Sequence, residues 1–200
     1  MLNKISNIIV NVLINKKSIE EKDRPIYLYG TMLLLSTLAG LLSIIIISLI
    51  FFDFFTVLVF FIFFIPLRVH AGGYHCKKYS SCFIVSNILF IAVVLLAKIS
   101  YINYFFSVYG AILISGVTLF MVVLLAPVTN ANNRLSPKKK KSNRKKSIIY
   151  ATIYFSIILI FKWFDFEQLD YIICVAAFSE LIIVILMVIE KLIERRIKDV

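Results

Sequence analysis

Residues Arg68 to Cys82 form a polar segment between two long apolar runs, and they contain both histidines and two of the three cysteines of the chain. His75 and Cys82 supply a base and a soft nucleophile, the two groups that covalent acyl transfer by a thiol requires. A glycine pair, Gly72 and Gly73, precedes the histidine. The segment therefore indicates thiol chemistry at a bilayer surface, and the rest of the chain is expected to position it.

The spacing of His75 and Cys82 makes a demand on the backbone. On one continuous helix, residues seven positions apart share a face but lie ~10.5 Å apart along the axis, so the two side chains would not meet. The glycine pair permits a bend, and Ser80 and Ser81 suit the N-cap of a helix that starts just before Cys82. There the helix dipole and two neighbouring lysines would favour the thiolate, and unpaired N–H groups could bind an oxyanion.

Two other interpretations of this segment remain open. Its residues could be ordinary loop residues at a membrane surface, because a histidine close to a cysteine in sequence is a weak signal. They could also bind a metal ion, since four of them are potential ligands: His70, His75, Cys76 and Cys82. Their spacing matches none of the usual zinc patterns, so neither a metal site nor a cofactor is predicted.

The composition is that of a membrane protein. Of the 200 residues, 61 % are hydrophobic and 18 are Phe, which together exclude an ordinary soluble domain. The net charge of +11 comes from cations in polar segments and near the termini, which favours a membrane surface over nucleic acid as partner. We therefore predict an all-α polytopic membrane protein with a single integral membrane domain over residues 1–200.

The elements of this domain follow from the apolar pattern. Residues 1–24 place apolar side chains at helical spacing between Asn and Lys, which predicts an amphipathic helix in the membrane interface, with a short cytosolic docking helix as the alternative. Six spans are expected at about 26–50, 51–67, 83–97, 104–125, 148–161 and 171–189. The second and third are short. The second would have to borrow Phe51 and Phe52, thin the bilayer or stop partway, and the last option would hold the polar segment slightly inside the membrane. A turn-rich loop ending in a run of lysines joins the fourth span to the fifth.

The distribution of cations predicts the orientation. With six spans both termini lie on one side, and 20 of the 22 Lys and Arg residues lie on that side, together with the polar segment and the lysine run. Only Lys98 and Lys162 fall on the other side. Cytoplasmic loops are rich in Lys and Arg. We therefore expect a multi-pass protein of the cell membrane with both termini and a bent catalytic segment on the cytoplasmic side.

At these positions the chain resembles the AgrB family, the accessory gene regulator B membrane endopeptidases of Gram-positive bacteria. The resemblance covers essentially the whole chain and is carried by Arg68, Gly72, Gly73, His75 and Cys82. A second similarity is the pattern AP-x-x-x-x-N-x-x-L over residues 126–135, before the lysine run. Both patterns stand in the order and the spacing that the family has.

The resemblance implies a cysteine peptidase that cleaves the C-terminal part from a short precursor peptide, AgrD. It also implies that the enzyme assists closure of the remainder into a thiolactone or lactone signal for quorum sensing. Cys82 would be the nucleophile and His75 the base, with Arg68 and Gly73 matching further family positions. Cys76 stands where the family often has a small residue, and a second thiol there is not required. The family further implies a homodimer.

Two charged side chains are candidates beyond the catalytic pair. Arg68 is suited to grip a carboxylate or carbonyl of the precursor because its planar fork makes bidentate contacts, although it could instead snorkel from the end of its span. Glu180 lies in the middle of a span, where an ionisable residue pairs with a cation, lines a peptide path or makes a helix contact. A third group that orients His75 is not assigned, with Ser86 and Asn87 as the nearest polar residues.

The lysine run is a further candidate for binding. It suits anionic lipid at the cytoplasmic surface, and it also suits the acidic end of family precursors. The residues concerned are Lys138, Lys139, Lys140 and Lys141.

The alternative function is a small transporter or a peptide-export component without covalent catalysis. That function predicts polar residues along several spans, whereas Glu180 alone is charged at depth. A scaffold or receptor subunit would leave the histidine and the cysteine unexplained. The sequence therefore predicts a membrane cysteine endopeptidase.

Overall fold

A computed structural model describes residues 2–74, 76, 78–102, 104–129, 135–164 and 169–198. These residues form seven α-helices and one short 3-10 turn, and no strand occurs among them. The predicted all-α fold is confirmed. The helices are α1 (Leu2–Asn15), α2 (Arg24–Phe51), α3 (Phe54–Ala71), α4 (Tyr79–Ile102), α5 (Tyr104–Leu125), α6 (Pro137–Trp163) and α7 (Asp170–Lys198).

Among the described residues, five helices are long and apolar enough to cross a membrane: α2 with the 3-10 turn before it, α3, α4, α6 and α7. The helix α5 is also apolar and has the bounds predicted for the fourth span. Lipid offers the backbone no hydrogen bonds, so a helix lets each segment satisfy its own polar groups. The chain is therefore an all-α polytopic membrane protein.

The first helix is amphipathic but shorter than the predicted 1–24. Its exposed apolar side chains include Ile5, Ile8 and Val12, whereas Val10 is buried on the other face. The helix ends at Asn15 because the chain then turns, with a positive φ of 56° at residue 17. The place of α1 in a membrane interface stays a prediction.

The second span begins and ends later than predicted. One carboxylate oxygen of Asp53 accepts the N–H of Thr56 at 2.7 Å and the other accepts its hydroxyl at 2.7 Å, so Asp53 caps α3. The helix then continues through Pro66. Its 18 residues cover ~27 Å, and Arg68 lies on its last turn rather than in a loop.

The third, fifth and sixth spans are also longer than predicted. The helix α4 starts at Tyr79 instead of residue 83. The helix α6 starts at Pro137, where Ser136 accepts the N–H of Lys139 at 3.4 Å and proline suits the first helical position. The lysine run, which was predicted as a loop, is therefore the first part of α6. The helix α7 likewise continues through the charged tail.

The chain divides into two compact units, and the prediction of a single domain stays a prediction. The first unit comprises Met1–Ile47 and Cys76–Ile88, and the second comprises Ser48–His75 and Leu89–Val200. In the first unit, Arg24 at the start of α2 donates to the side-chain oxygen of Asn11 in α1 at 2.6 Å. This bond ties the amphipathic helix to the first span.

The second unit is built around α7. Its most apolar stretch is 67 % buried, against 33 % or less in the other candidate spans, so α7 is the central helix. It packs against α3 and α5, and α6 packs against the same two helices. Aromatic rings fill the core beside α3, with centroids 4.5 Å apart for Phe63 and Tyr154 and 5.1 Å apart for Phe60 and Phe90.

Replacing Asp53 with Ala is expected to destabilise the start of α3. The change removes the acceptor of two hydrogen bonds from Thr56, and the loss of an N-cap costs about 1 kcal/mol. Asp53→Asn is the matched control, because an amide oxygen still caps a helix. The unfolding midpoint in detergent, followed by circular dichroism, should fall for the Ala variant and change little for the Asn variant. Equal midpoints for wild type and Asp53→Ala would contradict this role.

Candidate active site

The predicted nucleophile lies on the first turn of α4, in the first unit. The N–H of Cys82 donates to the carbonyl of Lys78 at 3.1 Å, and the side chain is an exposed, free thiol. The prediction that Ser80 and Ser81 cap the helix is wrong, because both lie inside its first turn. The N–H groups of Tyr79 and these two serines precede the first intrahelical bond, so they are the candidates to bind an oxyanion.

The predicted base, His75, lies outside the described residues, and its pairing with Cys82 stays a prediction. The backbone on either side is described. The helix α3 ends at Ala71, α4 begins at Tyr79, and the described residues between them are not helical. A continuous helix from Arg68 to Cys82, which would hold base and thiol apart, is therefore excluded.

Both glycines that end α3 have backbone conformations that suit only glycine. Gly72 has φ +79° and Gly73 has φ +108°. A Cβ on Gly72 would lie 2.0 Å from the carbonyl oxygen of Val128. A Cβ on Gly73 would lie 3.0 Å from the carbonyl carbon of Leu186 and 2.8 Å from Nη1 of Arg68. Positive φ and close approach of other backbone therefore both require glycine here.

The end of α3 is joined to two distant parts of the chain by backbone hydrogen bonds. The N–H of Val128, just after α5, donates to the carbonyl of Ala71 at 2.8 Å, and the carbonyl of Val128 accepts the N–H of Gly73 at 3.3 Å. The N–H of Tyr74 donates to the carbonyl of Leu186 in α7 at 2.9 Å. Sequence reasoning missed Val128 and Leu186, because both contribute backbone atoms that any residue type would supply.

The side chain of Arg68 bonds to the same backbone. Its Nη1 donates to the carbonyl of Gly72 and its Nη2 donates to the carbonyl of Tyr74. Both carbonyls lie beyond the last turn of α3, where the helix no longer provides donors. The predicted grip on a precursor carboxylate stays a prediction, while the bonds that the structure contains are to the chain itself.

A cationic cavity of about 520 Å³ lies next to the glycine pair in the second unit. Arg68 and His70 border it from α3, and Lys139 and Lys146 border it from α6. The imidazole of His70 stacks in parallel on the ring of Tyr150, with centroids 5.5 Å apart. A cavity with this lining suits carboxylates and peptide carbonyls, because its donors are charged.

The four lysines of the predicted binding run point to different sides of α6. Lys139 borders the cationic cavity. Lys140 and Lys141 border a second cavity, of about 540 Å³, together with Lys191 of α7, and Lys138 is exposed. The helical spacing of the run therefore distributes its charge over two sites.

Glu180 is fully buried in the middle of α7. The hydroxyl of Ser115 in α5 donates to one carboxylate oxygen at 3.0 Å, and the other oxygen has no hydrogen-bond partner among the described residues. Glu180 precedes Leu186, which contacts the glycine pair, by ~9 Å along the axis of α7. This placement favours a contact between α5 and α7, and a functional role stays a prediction.

The remaining polar candidates are Asn87 and two further cysteines, and the contacts of Asn87 are structural. The amide of Asn87 accepts from the hydroxyl of Ser43 at 3.0 Å and donates to the carbonyl of Phe83 at 2.8 Å, so it joins α4 to α2. Cys76 is partly exposed and Cys174 is buried. Within the described part of the chain, no group of three or more His, Cys, Asp or Glu side chains could hold a metal ion.

These features define an all-α membrane protein with a glycine-dependent break between two spans and an exposed thiol at the start of the second. Residues 6–189 match the family model of accessory gene regulator B, AgrB, and the chain belongs to this family. It is 30 % identical over 161 residues to AgrB-like protein 2 of Clostridium perfringens strain 13, covering 78 % of this chain and 75 % of that protein. The identity to an AgrB-like protein of strain SM101 is 29 % over 161 residues, with the same coverage.

No solved structure matches the chain significantly. The family resemblance found in the sequence is confirmed, and membership places this membrane protein in accessory gene regulation. The family acts in peptide processing and implies a precursor of the AgrD type as partner.

Replacing Gly72 or Gly73 with Ala is expected to destabilise the junction strongly. A positive φ costs a residue with a side chain about 1–3 kcal/mol, and the added Cβ would also clash with Val128 or with α7. Gly40→Ala is the control, because a Cβ at that helical position meets no atom within 4 Å. We expect a lower yield of monodisperse protein and a lower unfolding midpoint in detergent for the first two variants only. Unchanged behaviour of Gly72→Ala would contradict the close approach to Val128.

Proposed function

We propose that this chain is a membrane cysteine endopeptidase that cleaves the C-terminal part of a quorum-sensing propeptide through an acyl-enzyme on Cys82. It then promotes closure of the remaining peptide into a thiolactone or lactone. The observation that carries the proposal is the exposed, free thiol on the first turn of α4 in a chain of the AgrB family. A nucleophile at that position gains from the helix dipole and from nearby N–H groups without intrahelical partners.

The reaction begins with transfer of the Cys82 proton to His75. The thiolate attacks the scissile carbonyl of an AgrD-like precursor, and N–H groups of the first turn of α4 bind the oxyanion that forms. The peptide bond then breaks, and His75 gives its proton to the leaving amine. The N-terminal part of the precursor stays bound to Cys82 as a thioester. A thiol or hydroxyl within that part attacks the thioester, closes the ring and releases Cys82.

Water competes with ring closure, because hydrolysis of the thioester is downhill. A site slightly below the membrane surface would exclude water and keep the internal nucleophile near the thioester. Both flanking spans were expected to be short enough to create such a site. The helix α3 covers ~27 Å of a ~30 Å hydrocarbon core, whereas the 24 residues of α4 are long enough to span. The end of α3 is therefore the part that favours a recessed site.

We further propose that the protein lies in the cell membrane of a Gram-positive bacterium as a homodimer in contact with anionic lipid, with both termini cytoplasmic. When the loops between six apolar helices are assigned to alternate sides along the sequence, 20 of the 22 Lys and Arg residues fall on one side, which supports this orientation. The cationic cavity beside Gly73 suits the acidic end of a family precursor. Lys139 borders that cavity directly, so the start of α6 would recruit and hold the substrate.

Cys82→Ser and His75→Ala are each expected to abolish cleavage, because one removes the nucleophile and the other its base. Cys76→Ser is the matched control and should leave cleavage unchanged. The assay uses protein reconstituted in vesicles with a synthetic AgrD-like precursor peptide, and mass spectrometry follows both fragments and the acyl-enzyme. Normal processing by either of the first two variants, with normal membrane insertion, would disprove the mechanism.

Replacing Lys138, Lys139, Lys140 and Lys141 together by Gln is expected to raise the apparent KM several-fold and leave kcat little changed. The reason is that these lysines attract an acidic substrate by long-range charge, which salt screens. The dependence of KM on salt should therefore flatten in this variant. The fourfold Lys→Arg variant keeps the charge and serves as control. An unchanged KM, or a loss confined to kcat, would argue against electrostatic recruitment.

A further inference from the structure

The guanidinium of Arg68 serves two backbone carbonyls that lie two residues apart. Nη1 donates to Gly72 and Nη2 donates to Tyr74, directly before His75. A planar guanidinium can hold two acceptors in a fixed geometry, whereas the ammonium of a lysine acts as a single point charge. The side chain therefore sets the direction in which the chain leaves α3.

Hydrogen bonds from two distant residues also hold the backbone of residues 71–74. Val128 bonds both the carbonyl of Ala71 and the N–H of Gly73, and Leu186 accepts the N–H of Tyr74. With the two carbonyls held by Arg68, nearly every polar backbone group of this stretch has a partner within the protein. The backbone is therefore held by hydrogen bonds as far as Tyr74.

Glu190 of α7 lies where it can hold Arg68 in place. It follows Leu186 by one helical turn, so both residues are on the face of α7 that the glycine pair meets. The carboxylate is partly buried and interacts electrostatically with the guanidinium of Arg68. Lys139 and Lys146 border the same cavity as Arg68 and repel its guanidinium, and Glu194 lies one turn beyond Glu190 and interacts with that carboxylate. Glu190 is thus an acidic group that offsets this repulsion.

We infer that Arg68 and Glu190 are positioning residues of the active site, and that Arg68 acts on the chain itself rather than by gripping the precursor. Arg68 fixes the carbonyls of Gly72 and Tyr74, Glu190 holds the guanidinium, and the two together fix the backbone that leads into the base of the proposed reaction. The inference rests on the proposed function, in which His75 is the base for Cys82. A misplacement of ~1 Å in such a pair is enough to cost ~100-fold in rate.

The test measures the reactivity of Cys82 in the absence of any peptide. Full-length protein in vesicles is treated with iodoacetamide between pH 5.5 and 9, and mass spectrometry quantifies alkylation of each cysteine. Because the thiolate is the reacting species, the pH profile of Cys82 reports its activation by the base. Cys174 is 1 % exposed, so its protection reports that the helices remain folded. A contact made only to substrate would leave this profile unchanged.

At pH 6.5 we expect wild-type Cys82 to react about tenfold faster than Cys82 in His75→Ala, because the base takes up the proton of the thiol. Arg68→Lys should lose most of this advantage and Glu190→Gln part of it. Cys174 should stay protected in all variants. Glu20→Gln removes an exposed carboxylate that pairs with Lys22, before α2, and should behave as wild type.

The possible results separate the two proposals. A wild-type profile in Arg68→Lys, together with slow alkylation in His75→Ala, would overturn the positioning role and leave the peptidase mechanism standing. A wild-type profile in His75→Ala would overturn both. If Cys174 reacts in Arg68→Lys, the slower alkylation of Cys82 in that variant reflects unfolding. The decision then rests on Glu190→Gln, provided that Cys174 stays protected there. A wild-type profile of Cys82 in Glu190→Gln would overturn the inference, and a shifted profile would support it.

Discussion

A backbone N–H or C=O that is buried at the end of a helix needs a hydrogen-bond partner within the protein, and the end of α3 depends on this constraint. The polar groups of residues 71–74 are bonded by two distant parts of the chain, Val128 after α5 and Leu186 in the central helix α7, and by the side chain of Arg68 on the last turn of α3. These bonds allow α3 to stop inside a helical protein. The chain can then leave the helix axis before α4 begins, which a base and a thiol seven residues apart require.

The apolar runs in the sequence predicted the apolar part of each helix, but they did not predict where most of the helices begin and end. The bounds of α5 were predicted correctly because its apolar run and its helix coincide. The start of α6 was placed eleven residues too late, because a run of lysines indicates a solvated loop. Lysine is nevertheless a good helix former, and Ser136 followed by Pro137 is an N-cap and first-position signal that was present in the sequence. The helix α7 likewise extends through its charged tail, because lysine, arginine and glutamate are good helix formers.

Only part of the candidate site could be predicted from the sequence. Residues that act through their side chains could be found, whereas residues that act through backbone atoms could not. The exposed thiol of Cys82 and the glycine pair could be found, because their chemistry and their conformational freedom depend on residue type. Val128 and Leu186 could not be found, because they act through backbone atoms and their side chains carry no signal. The contacts of Arg68 lie between these cases, since a donor was evident from its type but the carbonyls that it meets are set by the fold.

The glycine pair has a different purpose from the flexibility that its sequence suggests. Gly72 and Gly73 let Val128 and α7 approach to distances that any Cβ would prevent, so here glycine makes close packing possible. In the proposed peptidase, a flexible junction would have to order itself in each catalytic cycle, and fixing a residue costs about 1–2 kcal/mol in conformational entropy. A junction in which nearly every polar backbone group is bonded incurs that cost once, during folding. In the proposed reaction, the free energy of substrate binding would then remain for the orientation of the scissile carbonyl.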